Sequence, residues 1–144
     1  MDSPLSLDTD IDEIVENFSF LDDWEDRYGY LIELGNALSA VTEDEMSDAN
    51  KVQGCVSQVW LVSTYDNGKL YFRGTSDAHI VRGLVAVALS IFSGKTPEEV
   101  AQLDEQETFR AIGLAEHLTP QRSNGLKSLV GKIKATAQAA MARA

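Results

Sequence analysis

Cys55 is the one cysteine among 144 residues. A lone cysteine commonly packs as a small buried hydrophobe. The surroundings here favour chemistry instead. The segment Val52-Gln53-Gly54-Cys55-Val56-Ser57-Gln58 follows a long polar stretch and precedes a β-prone run. Gly54 lets the backbone bend where a side chain would obstruct approach. Ser57 and Gln58 are polar neighbours able to hydrogen-bond a sulfur anion. A cysteine on a loop anchored to a strand can be presented to another protein, and its nucleophilicity then depends on its thiolate fraction.

The other reactive residue types are sparse. His79 and His117 are the only histidines, and neither has a local spacing to Cys55 that argues for a Cys/His pair. A small Cys/His hydrolase or thiol oxidoreductase remains the alternative reading. One cysteine and two scattered histidines give no zinc ligand cluster. An iron–sulfur scaffold needs several thiolates, so the chain can hold a sulfur atom but not a cluster by itself. No metal and no cofactor are expected. Asp77 reads as the N-cap of a helix. Arg122 sits near a helix start, where the dipole disfavours a cation, which suggests an anion or a partner carboxylate nearby. Trp24, Tyr28 and Trp60 read as core.

These residues must be positioned by local elements. Ile11, Ile14, Val15 and Phe18 predict a short helix. Asp22 with Glu25 resembles a capping box opening a second helix, with Trp24, Tyr28, Leu31, Ile32, Leu34 and Leu38 inward. Residues 41–54 read as a loop. Residues 58–65 and 69–75 predict two strands joined by Asp66-Asn67-Gly68. Ser76 or Asp77 is expected to cap a helix over 78–93 that is apolar around most of its circumference and therefore central. Thr96-Pro97-Glu98-Glu99 starts a short helix; residues 105–112 form another, stopped by Gly113. Thr119-Pro120 leads into the last helix, roughly 122–142, with Leu126, Leu129, Val130 and Ile133 inward. The fold class is α+β: a small two- or three-stranded antiparallel sheet covered by helices, because a bare hairpin is marginal.

Length suits one domain over residues 1–144, with 1–10 as a loose leader. The net charge is −11. Residues 1–50 hold 15 acidic residues against Arg27 alone, a net of −14; the remainder holds 8 acidic and 11 basic, a net of +3. Such a chain repels phosphate backbones, so no nucleic-acid partner is expected. The acidic half is either a solubilising surface or a means of steering toward a basic protein. No stretch is apolar and long enough to span a membrane, and the acidic start has no signal-peptide character. A cytoplasmic location is expected.

Four ordered blocks resemble the SufE-type cysteine desulfuration (sulfur-acceptor) proteins. The first is Trp24-Glu25 through Tyr28 with Leu31-Ile32-Glu33-Leu34-Gly35, and the second runs from Val52 to Trp60 around Cys55. The third joins Gly74-Thr75-Ser76-Asp77-Ala78 to Ile80-Val81-Arg82-Gly83-Leu84, and the fourth runs from His117 to Leu126. Val56 departs from the Gln often found after the cysteine in such proteins. The resemblance implies an α+β domain shared with IscU-type scaffolds. It implies that Cys55 accepts persulfide sulfur from a PLP-dependent cysteine desulfurase, SufS-like or CsdA-like, and stimulates it. The sulfur then passes to iron–sulfur cluster assembly, with a SufBCD-type scaffold as recipient. The chain would be a carrier, not an enzyme, and the PLP belongs to the desulfurase. Gln53, Gly54, Ser57, Asp77 and Arg122 would support the loop or bind the partner. The stretch 42–53 has few apolar residues and is expected to be cheap to move.

Overall fold

The computed structural model describes residues 11–38, 40–54, 57–113 and 118–143. Helices α1 (Ile11–Ser19) and α2 (Trp24–Asn36) come first. The hairpin β1 (Val59–Asp66) and β2 (Lys69–Ser76) follows, then α3 (His79–Phe92), α4 (Pro97–Gln102), α5 (Glu105–Ala111) and α6 (Pro120–Arg143). The expected α+β class holds, with a two-stranded antiparallel sheet.

The hairpin turns on Asn67 and Gly68, whose φ values of 52° and 78° are both left-handed. That backbone matches the twist of the flanking strands and sets Val59 opposite Ser76 and Asp66 opposite Lys69. Period-two alternation then turns Leu70, Phe72, Gly74 and Ser76 inward. Helix α3 covers this face, and every residue from Gly83 to Leu89 is buried. Its apolar circumference makes it the centre of the core, as the sequence predicts. On its other side lies α2. An added Cβ at Gly83 would sit 2.2 Å from the Leu31 carbonyl oxygen, and one at Gly35 would sit 2.8 Å from the Gly83 nitrogen. The two glycines let α2 and α3 pack backbone to backbone.

Helix α6 brings Leu126, Leu129, Val130, Ile133, Ala137 and Ala140 into the core at three- and four-residue steps. Lys134 Nζ fastens α5 to it, pairing with Glu105 Oε1 at 3.0 Å and donating to the Leu103 carbonyl at 2.8 Å. Helix α4 opens with a reciprocal capping box: Thr96 Oγ1 accepts from Glu99 N–H, and Glu99 Oε1 accepts from Thr96 N–H.

Several expectations need correction. Asp23, not Asp22, caps α2; its Oδ1 accepts from Asp26 N–H at 2.9 Å. The last helix begins at Pro120, so Arg122 lies within its first turn, its N–H donating to Thr119 Oγ1. The stretch 42–53 is not weakly held. Val41 and Val52 are buried. Val52 N–H donates to the Val59 carbonyl and Leu61 N–H to that of Asn50, each at 2.8 Å, so residues 50–52 run antiparallel to β1. Arg73 on β2 binds both carboxylate oxygens of Glu45. Lys132 Nζ, from α6, donates to the carbonyls of Ala49 and Lys51 at 3.0 and 3.2 Å.

Candidate functional site

Cys55 and His117 lie outside the described residues. The frame on either side of Cys55 is described. Before it, Gly54 has φ +88°, a conformation that resists any side chain. An added Cβ there would also lie 2.7 Å from Ser128 Oγ of α6. Gln53 is exposed beside it. After it, Ser57 leads into β1, and Gln58 is held twice by Asp77. Gln58 N–H donates to Asp77 Oδ1 at 3.1 Å, and Asp77 N–H donates to the Gln58 carbonyl at 3.3 Å.

That contact overturns the N-cap reading of Asp77. Helix α3 is capped at Ala78 without a side-chain hydrogen bond. The Asp77 carboxylate is taken up by the strand start across the sheet. The Ser76 hydroxyl instead accepts from Ala78 N–H. Asp77 is therefore a clasp on the chain that leaves the cysteine segment.

Ser57 lines a cavity of about 350 Å³. Val59 continues its wall from β1, and α3 supplies Val81, Leu84 and Val85. The opening turns of α6 and the residue before them supply Thr119, Gln121, Arg122, Gly125, Leu126 and Leu129. The walls are mainly aliphatic, with polar groups at Ser57, Thr119, Gln121 and Arg122. Arg122 is half-buried and forms no salt bridge among the described residues. A guanidinium over an apolar hollow can bind an anion or a partner carboxylate strongly, because water competes less there.

The structure thus brings Ser57 and Arg122 to one cavity, sets Gly54 against α6, and places Asp77 one residue away through Gln58. Gln53 joins neither contact. His79 is exposed at the first residue of α3. Among the described residues no three His, Cys, Asp or Glu side chains converge as metal ligands, and no helix is long and apolar enough to cross a membrane. Sequence reasoning does not connect Ser128 or Lys132 with the cysteine segment; it reads Lys132 only as part of the basic end of the last helix. The signal for them is their three- and four-residue spacing from Gly125 and from each other, a small and polar seam beside the apolar stripe of α6.

The architecture is that of a known fold. A solution structure of a hypothetical protein from Thermus thermophilus superposes with a TM-score of 0.74 at 21% identity, covering 99% of each chain. The sequence goes further. The model of the SufE family, an Fe-S metabolism associated domain, matches residues 12–137. Uncharacterized SufE-like proteins of Rhizobium meliloti (strain 1021) and Rhizobium etli are each 53% identical to this chain. The first alignment covers 90% of this chain and 96% of the relative, and the second covers 89% of each. The chain belongs to the SufE family and is thereby associated with iron–sulfur metabolism.

Proposed function

We propose that the protein is a sulfur acceptor and carrier. Cys55 takes sulfur from the persulfide of a PLP-dependent cysteine desulfurase of the SufS or CsdA kind and passes it to iron–sulfur cluster assembly, with a SufBCD-type scaffold as recipient. The observation that carries this reading is the cavity shared by Ser57 and Arg122, next to the segment that bears the only thiol. Family membership supports it.

The transfer balances without an outside oxidant. The Cys55 thiolate attacks the outer sulfur of the donor persulfide, whose S–S bond breaks as the donor thiolate leaves. One S–S bond forms and one breaks, and Cys55 ends as the persulfide. The rate follows thiolate fraction, leaving-group pKa and access. The outer sulfur of a persulfide is more acidic than a thiol, so the carried group is largely an anion. On this reading Arg122 favours that anion, the aliphatic walls keep water and oxidants from it, and Gly54 and Asp77 hold the two ends of the cysteine segment. The chain needs no cofactor of its own; the PLP is the donor's. It acts as partner and activator of the desulfurase, in the cytoplasm where such assembly would draw on it.

Cys55→Ser tests this. The variant should fold and bind the desulfurase, because an interface spreads over many residues, yet fail to accelerate alanine release from cysteine. Undiminished acceleration would leave the chain as an allosteric activator only. Loss of folding would return Cys55 to the core.

A further inference from the structure

The face formed by α1 and α2 has a feature that folding does not explain. Gly29 lies in the interior of α2. A glycine there costs roughly 1 kcal/mol relative to alanine. It has no left-handed φ, and an added Cβ would meet nothing within 4 Å. Neither backbone conformation nor packing calls for it. Glycine's remaining use is to let something approach the backbone closely.

Gly29 lines an open trough of about 550 Å³ between the two helices. One wall is Phe20, which is 73% exposed despite its size, with Leu21 beside it. The other is the α2 row Glu25, Gly29 and Glu33, joined by Asp26. Eight residues separate Glu25 from Glu33, about 12 Å along the helix. The trough is preformed: Asn17 Nδ2 donates to the Tyr30 hydroxyl at 2.8 Å, tying α1 to α2 at its base. The one cation of residues 1–50, Arg27, is engaged elsewhere, donating to the Leu21 carbonyl and lying 5.2 Å over the Trp24 ring. No lining residue is shared with the cavity beside Ser57.

We propose that this trough docks a basic amphipathic helix of a partner protein. An apolar side chain would sit over Gly29 against Phe20, and Lys or Arg side chains about two turns apart would meet Glu25 and Glu33. The charge selects this occupant. Residues 1–10, with three acidic and no basic side chains, would be repelled, and a second copy would bring its own residues 1–50, at net −14, with it. The surface is separate from the sulfur cavity, so the partner could remain bound while sulfur is exchanged.

The probe is a synthetic Ala/Gln-based helical peptide with two Lys about seven residues apart, near two turns, and one Leu midway. It is titrated into the full chain and followed by backbone amide NMR. Shifts should concentrate at residues 17–21 and 25–33. Affinity should fall about tenfold or more in Gly29→Gln and Phe20→Ala, as for a central contact residue. Gly29→Gln improves helix propensity, so its loss of binding cannot come from unfolding. Gly131→Ala in α6, also clear of neighbours within 4 Å and outside the trough, should leave binding unchanged. The proposal fails if a peptide with Ala for Leu binds equally well, if Gly29→Gln binds as wild type does, or if the shifts fall elsewhere. It also fails if the trough amides shift with protein concentration, or on deletion of residues 1–10, since either would mean that the chain fills its own trough.

Discussion

Gly83→Ala measures how closely α2 and α3 must pack. The new methyl carbon would start 2.2 Å from the Leu31 carbonyl oxygen and 2.6 Å from its carbon, whereas real Cβ atoms essentially never come within 3.0 Å. The obstacle is backbone, so no rotamer change relieves it. The helices must part by at least 3.0 − 2.2 = 0.8 Å. A gap of that order forfeits a quarter to a half of each dispersion contact along the seam, and overpacking of this kind costs about 1–3 kcal/mol or more. Alanine returns up to about 1 kcal/mol through helix propensity. Because the clash is with backbone, the cost lies at the upper end of that range, and the net expectation is a loss of about 2 kcal/mol or more, which for a chain of this size lowers Tm by roughly 5–8 °C or more. Gly29→Ala, on the open face of α2, should have the opposite sign and gain up to about 1 kcal/mol. Urea unfolding of both variants is the assay. If Gly83→Ala is as stable as wild type, the backbone contact between α2 and α3 is not what fixes their spacing.

The Glu45 carboxyl is held at about 2 rather than 4.5, chiefly by the hydrogen bond from Arg73. Its folded pKa is depressed, so its stabilising effect is complete above about 4.5 and is lost as pH falls toward 2. Glu45→Gln should therefore flatten the acid limb of a Tm-against-pH curve between those values, and an unchanged limb would contradict the assignment. Gly54→Ala should cost about 1 kcal/mol or more by strain at φ +88° and should slow sulfur acceptance; equal stability by urea titration would remove Gly54 from the frame. Lys132→Met frees the Ala49 and Lys51 carbonyls and should speed amide hydrogen exchange at residues 49–54 while leaving α6 protected. Unchanged exchange there would show that the clamp is not needed.

Features decided by neighbouring residues are legible in the sequence. Thr96-Pro97, Asn67-Gly68 and the apolar stripes of α3 and α6 carry their own signals, and the structure follows them. The α2 cap differs by one residue because Asp22 and Asp23 both offer a carboxylate, and only the first helical residue decides between them. Contacts between distant segments are not legible. A cap at Asp77 is locally sound but loses to Gln58, which reaches it only because the hairpin closes. Residues 50–52 look like loop because polar Asn50 and Lys51, at the end of a polar stretch, hide a backbone pairing with β1. Nothing in the sequence sets Gly35 against Gly83 or Lys132 over the 49–51 carbonyls. At the candidate site, Gly54, Ser57 and Arg122 stand out from their residue types and do border a cavity or α6, whereas the aliphatic walls from α3 read only as core.

The central claim is that Cys55 holds the sulfur. Wild-type and Cys55→Ser protein are incubated with a cysteine desulfurase, its PLP and free cysteine, and intact mass is recorded before and after reductant. The wild type should gain the mass of at least one sulfur atom, removed by reductant, with the modified peptide containing Cys55, and the variant should gain none. A wild-type protein that gains no mass while the desulfurase turns over, or a variant that gains as much, would contradict the account.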